Sequence, residues 1–233
     1  MKNSERFLNA FIAIEMKLKE ILKINHLPFS QLVTKAAKIN EVVAYYEFDL
    51  IEYSQLRNAI THNRIGTMDE VIAEPHTKVV DAIEGIEKAL TSAKFIVDKF
   101  KKKVLFADKS DSLEKVLALK KKTGYSVLPI YDGKTYLGTL SEPMLARWVE
   151  DTFPNVDPET KVVDLLTYSK REERVIFVDD KTTIFQAISI FTKRYQAGQR
   201  VAALIVSEKG RTNVLPIAVL TLADLPALLH ELD

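Results

Sequence analysis

Apolar residues recur at threes and fours through the first part of the chain, the period of helices that bury one face. Phe7, Leu8, Phe11, Ile12, Met16, Leu18, Ile21 and Leu22 form one wide stripe, with Asn3 or Ser4 placed to cap its start and Leu27-Pro28 to end it. Ser30 opens a short second helix through Leu32, Val33, Ala36 and Ala37. Asn40 caps a long third helix, along which Val42, Val43, Tyr46, Leu50, Tyr53, Leu56 and Ile60 recur. A loop is expected from Gly66 to Glu74. Pro75 then suits the first turn of a fourth helix, with Val79, Val80, Ile83, Ile86, Leu90, Ile96, Val97 and Phe100 on one broad face. Four helices with short links predict an all-α bundle over residues 1–100.

The pattern changes at Lys101-Lys102-Lys103, a run that reads as a solvated junction or as an attractor of phosphates. Beyond it, strand-like and helix-like segments alternate, and the chain repeats itself. The first copy spans Phe106 to Leu145. It holds a short strand, Asp111-Ser112-Leu113, a helix through Val116 and Leu119, the strand Val127-Leu128-Pro129-Ile130-Tyr131, the turn signal Asp132-Gly133, then Tyr136-Leu137-Gly138-Thr139-Leu140-Ser141 and a second helix. The second copy spans Phe177 to Leu228. It has a helix through Ala187, Ile190 and Phe191, the strand Val201 to Val206, then Leu215 to Thr221 and a final helix, with Lys209-Gly210 in place of the hairpin turn. The predicted order is β-α-β-β-α, twice. The expected fold class is therefore α + (α+β): a helical bundle over 1–100 and a two-repeat unit over 101–233.

Composition narrows the chemistry. The 233 residues include 47% hydrophobic and 28% charged positions, ordinary for a soluble globular protein with room for two domains. The net charge of +1 gives no overall basic field, so any contact with nucleic acid must come from a local site. The absence of cysteine excludes disulfides, thiolate metal sites and a cysteine nucleophile. His26, His62, His76 and His230 show no metal-ligand spacing, and no metal site is expected. His76 reads as a first-turn surface residue and Trp148 as core. The start lacks a signal-peptide pattern, and no apolar run reaches membrane-spanning length, so the expected location is cytoplasmic.

Two places carry candidate chemistry. The first is Arg57-Asn58-Ala59-Ile60-Thr61-His62 at the end of the third helix. An arginine clamps phosphate with paired donors, and an imidazole moves protons near neutral pH. Five residues separate Arg57 from His62 by roughly 140° around a helix, so two facing copies of this helix would form a site more readily than one. The same residues also suit a helix end with surface ion pairs and a histidine favoured by the dipole. The second place is Thr221-Leu222-Ala223-Asp224, which reads either as a helix N-cap with a first-turn acid or as part of a ligand site.

Arg57-Asn58 followed by His62 in a helical domain resembles the HEPN family, over about the first 100 residues. That resemblance implies a metal-independent ribonuclease with a composite site at a homodimer interface. His62 would be the general base or acid, Arg57 would stabilise charge on phosphorus, and Asn58 would orient the phosphate or the imidazole. The doubled β-α-β-β-α order, with its Leu-Pro-Ile-x-Asp-Gly and Gly-x-Leu-Ser segments, looks like a tandem pair of CBS domains, with repeats at about 104–150 and 160–233. It implies an adenine nucleotide (AMP, ATP or cyclic di-AMP) bound between the repeats, with Thr221 and Asp224 reading phosphate and ribose. Ile176 and Phe177 would offer backbone to the base, and Arg200 and Val201 would line the pocket. In the first repeat the corresponding pattern is Ser141-Glu142-Pro143-Met144, with methionine where the family has aspartate. The expected function is a nucleotide-responsive endoribonuclease. The alternative is a non-enzymatic adenine-nucleotide sensor whose helical domain dimerises or holds a partner. A third possibility is a toxin silenced by a cognate antitoxin.

Overall fold

The computed structural model describes residues 1–62, 73–101, 104–170 and 174–232. It divides into two compact units, Met1–Lys94 and Phe95–Glu231. The first is wholly helical: α1 (Asn3–Leu22), α2 (Phe29–Ala36), α3 (Glu41–Tyr45), α4 (Glu47–His62) and α5 (Thr77–Thr91). Its core takes Phe7, Phe11 and Leu18 from the predicted stripe and adds Ile14, packed with Leu32, Val33, Leu50, Ile60, Val80 and Ile83, whereas Ile12 and Met16, also expected on that stripe, are exposed because they fall on the far side of α1 from Phe7. The start of α1 is tied to the segment leading into α5. Ser4 N–H donates to Glu74 Oε1 at 3.1 Å, Asn3 Nδ2 donates to Pro75 O at 3.0 Å, and Arg6 bridges Asp81 and Glu84 at 2.9 and 2.7 Å.

Three helix boundaries differ from the sequence reading. Lys2, and neither Asn3 nor Ser4, stands at the N-cap of α1, because the side chain of Asn3 and the amide of Ser4 are taken by the lead-in to α5. Asn40 does cap α3, accepting from Val43 N–H at 3.1 Å, but the long third helix breaks at Tyr46 (φ −103°, ψ 16°), which splits it into α3 and α4. The fourth helix stops at Thr91. Ser92 is extended, and Ile96–Phe100 forms a separate α6 in the second unit, where Ile96 N–H donates to Thr182 O at 3.0 Å. The predicted loop at Gly66–Glu74 lies outside the described residues except for Ala73 and Glu74, as do Lys102 and Lys103.

The second unit has the doubled order. The first repeat contains β1 (Ala107–Asp108), α7 (Leu113–Thr123), β2 (Val127–Asp132), β3 (Thr135–Ser141) and α8 (Glu142–Thr152). The second contains β4 (Arg174–Asp179), α9 (Ile184–Gln196), β5 (Val201–Ser207), β6 (Ala218–Leu220) and α10 (Leu225–His230). Each makes one three-stranded sheet, a parallel pair followed by an antiparallel one, in the orders β1-β2-β3 and β4-β5-β6. The parallel pairs need crossovers, and α7 and α9 supply them. Both repeats start with the same turn. Asp108 and Asp179 each accept the amide two residues on, and Ser112 and Thr183 then cap α7 and α9. Asp132 pairs with Thr135 across a two-residue loop, where Gly133 takes the left-handed φ (+57°) that such a turn requires.

Matching the parallel pairs sets Tyr131 against Ser207, each one residue beyond the partner of a core strand position. Ser207 Oγ donates to Arg211 O at 2.7 Å, whereas the fully buried Tyr131 hydroxyl has no hydrogen-bond partner among the described residues. Burial, helped by Tyr136, pushes that hydroxyl up to about 12. An unmade buried hydrogen bond costs about 1–3 kcal/mol, so Tyr131→Phe should stabilise the protein by about 1 kcal/mol in urea denaturation. A loss of similar size would contradict this.

No helix among the described residues is long and apolar enough to cross a membrane.

Candidate functional site

A cavity of about 200 Å³ opens between the two repeats. The first repeat contributes Val104 and Leu105 before β1, and Gly124, Tyr125, Ser126, Val127 and Pro129 at the entry to β2. The second contributes Val219, Leu220, Thr221, Ala223 and Asp224 at the end of β6 and the turn into α10, and Phe100 of α6 completes the lining. The wall is mostly aliphatic and aromatic. One carboxylate stands at the end of it, and no basic side chain is among the described lining residues. Such a slot suits a planar apolar ring with hydroxyls at one end.

Thr221 and Asp224 are therefore brought to this cavity. Their contact to each other is specific: Asp224 Oδ2 accepts from Thr221 N–H at 2.8 Å and from Thr221 Oγ1 at 3.2 Å. The two form an N-terminal cap, and Asp224 Oδ1 is not engaged by it. The cap and ligand readings of these residues are compatible, because one carboxylate oxygen serves the backbone and the other stays available.

Ile176, Phe177, Arg200 and Val201 are not among the lining residues of this cavity. The matching turns at Asp108 and Asp179 make Ile176 the counterpart of Leu105, and with Tyr131 matched to Ser207, Arg200 and Val201 are the counterparts of Gly124 and Tyr125 before β2. The cavity takes its strand entries from one repeat and its Thr-x-x-Asp turn from the other. The named residues of the second repeat's own strands thus lie outside the lining of the cavity that holds Asp224. Leu105, Ser126 and Val127 were missed, although the repeat symmetry carried the signal for them. Phe177 instead meets Tyr136 edge to face, with ring centroids 4.9 Å apart.

In the first repeat, the position of Asp224 is held by Met144. It is 1% exposed and packed with Trp148, Val162 and Leu165, while Ser141 Oγ caps its amide at 3.3 Å. The methionine is a core side chain there, so the two repeats are chemically unequal.

In the helical unit, Arg57 and Asn58 line a second cavity, of about 350 Å³, with Phe11, Glu15, Phe29 and Ser54. Arg57 Nη1 donates to Asn58 Oδ1 at 3.2 Å, and its guanidinium carbon lies 5.8 Å from the centre of the Phe11 ring. Among the described residues Arg57 has no carboxylate partner. His62 ends α4, but its side chain lies outside the described residues. His76 is exposed at the N-cap of α5, and Trp148 is core. No group of three or more histidine or acidic side chains among the described residues could hold a metal ion.

Neither a protein-family model nor a curated protein matches the chain. Solved structures similar to it are CBS-domain proteins, matched over about the C-terminal three fifths. One is a Vibrio cholerae protein assigned to acetoin utilization (AcuB), with 16% identity, covering 60% of this chain and 93% of that one, TM-score 0.46. Another is CBSX2 in complex with AMP, with 19% identity, covering 59% and 97%, TM-score 0.42. A third is the CBS domain of a bacterial CNNM/CorC family Mg²⁺ transporter in complex with ATP, with 16% identity, covering 64% and 94%, TM-score 0.44.

Proposed function

We propose that this protein is an adenine-nucleotide sensor, in which the two-repeat unit binds one nucleotide per chain and regulates what the helical unit does. The observation that supports this is the cavity between the repeats, with an apolar slot ending at Thr221 and Asp224. An adenine fits the slot by apolar contact, and Asp224 accepts ribose hydroxyls through the oxygen its cap leaves available. The first repeat offers only Met144 at the matching place, which predicts one site per chain and not two. Calorimetry with AMP, ATP and cyclic di-AMP tests this. Heat from one of them at a ratio of one per chain is the expected result, and no heat with any of the three removes the sensor reading.

A second reading assigns the helical unit a metal-independent ribonuclease activity, under control of that nucleotide. What favours it is the half-buried Arg57, beside Asn58 in a cavity and without a carboxylate partner among the described residues. In this reading a cytoplasmic homodimer completes the site, with Arg57 of one copy working with His62 of the other on RNA. A cognate antitoxin would be one means of restraint. RNA degradation by wild type beside His62→Ala decides between catalytic and purely sensing roles.

A further inference from the structure

Three lysines, Lys120, Lys121 and Lys122, fill the last turn of α7. Lys121 and Lys122 are exposed, as helix-end lysines usually are, but Lys120 is only 9% exposed. Its amine bypasses the carbonyls of its own helix and donates to Tyr125 O at 2.5 Å and Ser126 O at 2.8 Å. Gly124 makes this reach possible. It takes the left-handed conformation (φ +70°) that turns the chain back along the helix, while its N–H closes α7 on Lys120 O at 2.8 Å.

The two carbonyls belong to consecutive residues. In a regular strand, neighbouring carbonyls point to opposite sides, so one amine cannot take both. The chain accordingly bends at Ser126 before β2 begins at Val127, and Gly124, Tyr125, Ser126 and Val127 all line the cavity between the repeats. A buried ammonium is costly, and burial does lower the pKa of Lys120, with Glu142 opposing. An apolar residue would fill such a space without that cost. The second repeat makes that choice: Phe191, at the same distance from its cap Thr183 as Lys120 from Ser112, is a buried core residue. The lysine is found in the repeat whose strand entry lines the cavity, and a phenylalanine in the other.

We infer that Lys120 is a positioning residue for the ligand of this cavity: by clamping the Tyr125 and Ser126 carbonyls it fixes the bent wall against which the ligand's planar ring packs. This rests on the nucleotide reading above. The experiment uses the full chain as wild type, Lys120→Met and Lys120→Arg, the last of which retains donors and guards against a variant that fails to fold. Backbone hydrogen exchange without ligand should speed up in Lys120→Met over residues 124–128 and stay unchanged over 218–224. Its AMP affinity should fall at least about tenfold, and that of Lys120→Arg by less. Unchanged exchange over 124–128 overturns the clamp. Faster exchange throughout the second unit shows a general packing role and overturns positioning. Locally faster exchange with unaltered AMP affinity severs the clamp from the ligand. A wild type that binds no adenine nucleotide is a separate outcome: it removes the nucleotide reading itself, and this inference with it.

Discussion

Asp224→Ala is expected to weaken AMP binding roughly 30- to 150-fold, which corresponds to losing about 2–3 kcal/mol of charged hydrogen bonds to ribose. The carboxylate at the end of the cavity spends Oδ2 on Thr221 N–H and Oγ1, so the loss should come from the ligand contact and also from a loosened cap. Asp224→Asn separates the two, because an amide oxygen can still accept from Thr221 N–H while the charge is gone. An adenosine monophosphate lacking both ribose hydroxyls should bind wild type more weakly and lose little more on Asp224→Ala, since one contact cannot be removed twice. Met144→Ala should leave binding within about threefold, because that side chain sits in the core of the first repeat, although the truncation will cost about 2–5 kcal/mol of stability. Equal losses from Asp224→Ala with both ligands would show that the aspartate acts through the fold and not through ribose.

If the helical unit cleaves RNA, Arg57→Ala and His62→Ala should each lower the rate by on the order of 10²–10⁴. Folding should survive Arg57→Ala. Arg57 gives up a hydrogen bond to Asn58 and a guanidinium contact with Phe11, and contacts of that kind are worth about 0.5–1 kcal/mol at partly exposed sites. Chelators should have no effect. Because Arg57 and His62 are offset by roughly 140° on one helix, the site is expected to form across two copies. Mixing the two inactive variants should then restore part of the activity, since a mixed dimer keeps one Arg57 facing one His62. Activity that survives His62→Ala and disappears with chelator would remove this mechanism. Inactive variants that do not complement each other, in a protein that light scattering finds monomeric, would remove the shared site.

The classes of structure were legible along the chain, because they follow from local period and capping. The positions Phe7, Phe11 and Leu18 recur at the period of a helix face and are buried as one, and Asn40 marks a helix start through its bond to an amide three residues on. The doubled β-α-β-β-α order was legible for the same reason, as was the pair Thr221 and Asp224, whose mutual contact spans three residues. Tertiary structure decided what depends on distant partners. The apolar period runs on from Leu90 to Ile96 as if through one helix, yet Ile96 goes to the second unit because its amide meets Thr182 O, far along the chain. Nothing local distinguishes Leu105 from Ile176, or Tyr125 from Val201, as a wall for Asp224. That choice is made when the strand entries of one repeat meet the turn of the other, so Leu105, Ser126 and Val127 line the cavity and their counterparts do not. Lys120 belongs to the same category: one of three consecutive lysines in the sequence, it is set apart only when a left-handed glycine turns the chain and brings two carbonyls within reach of its amine.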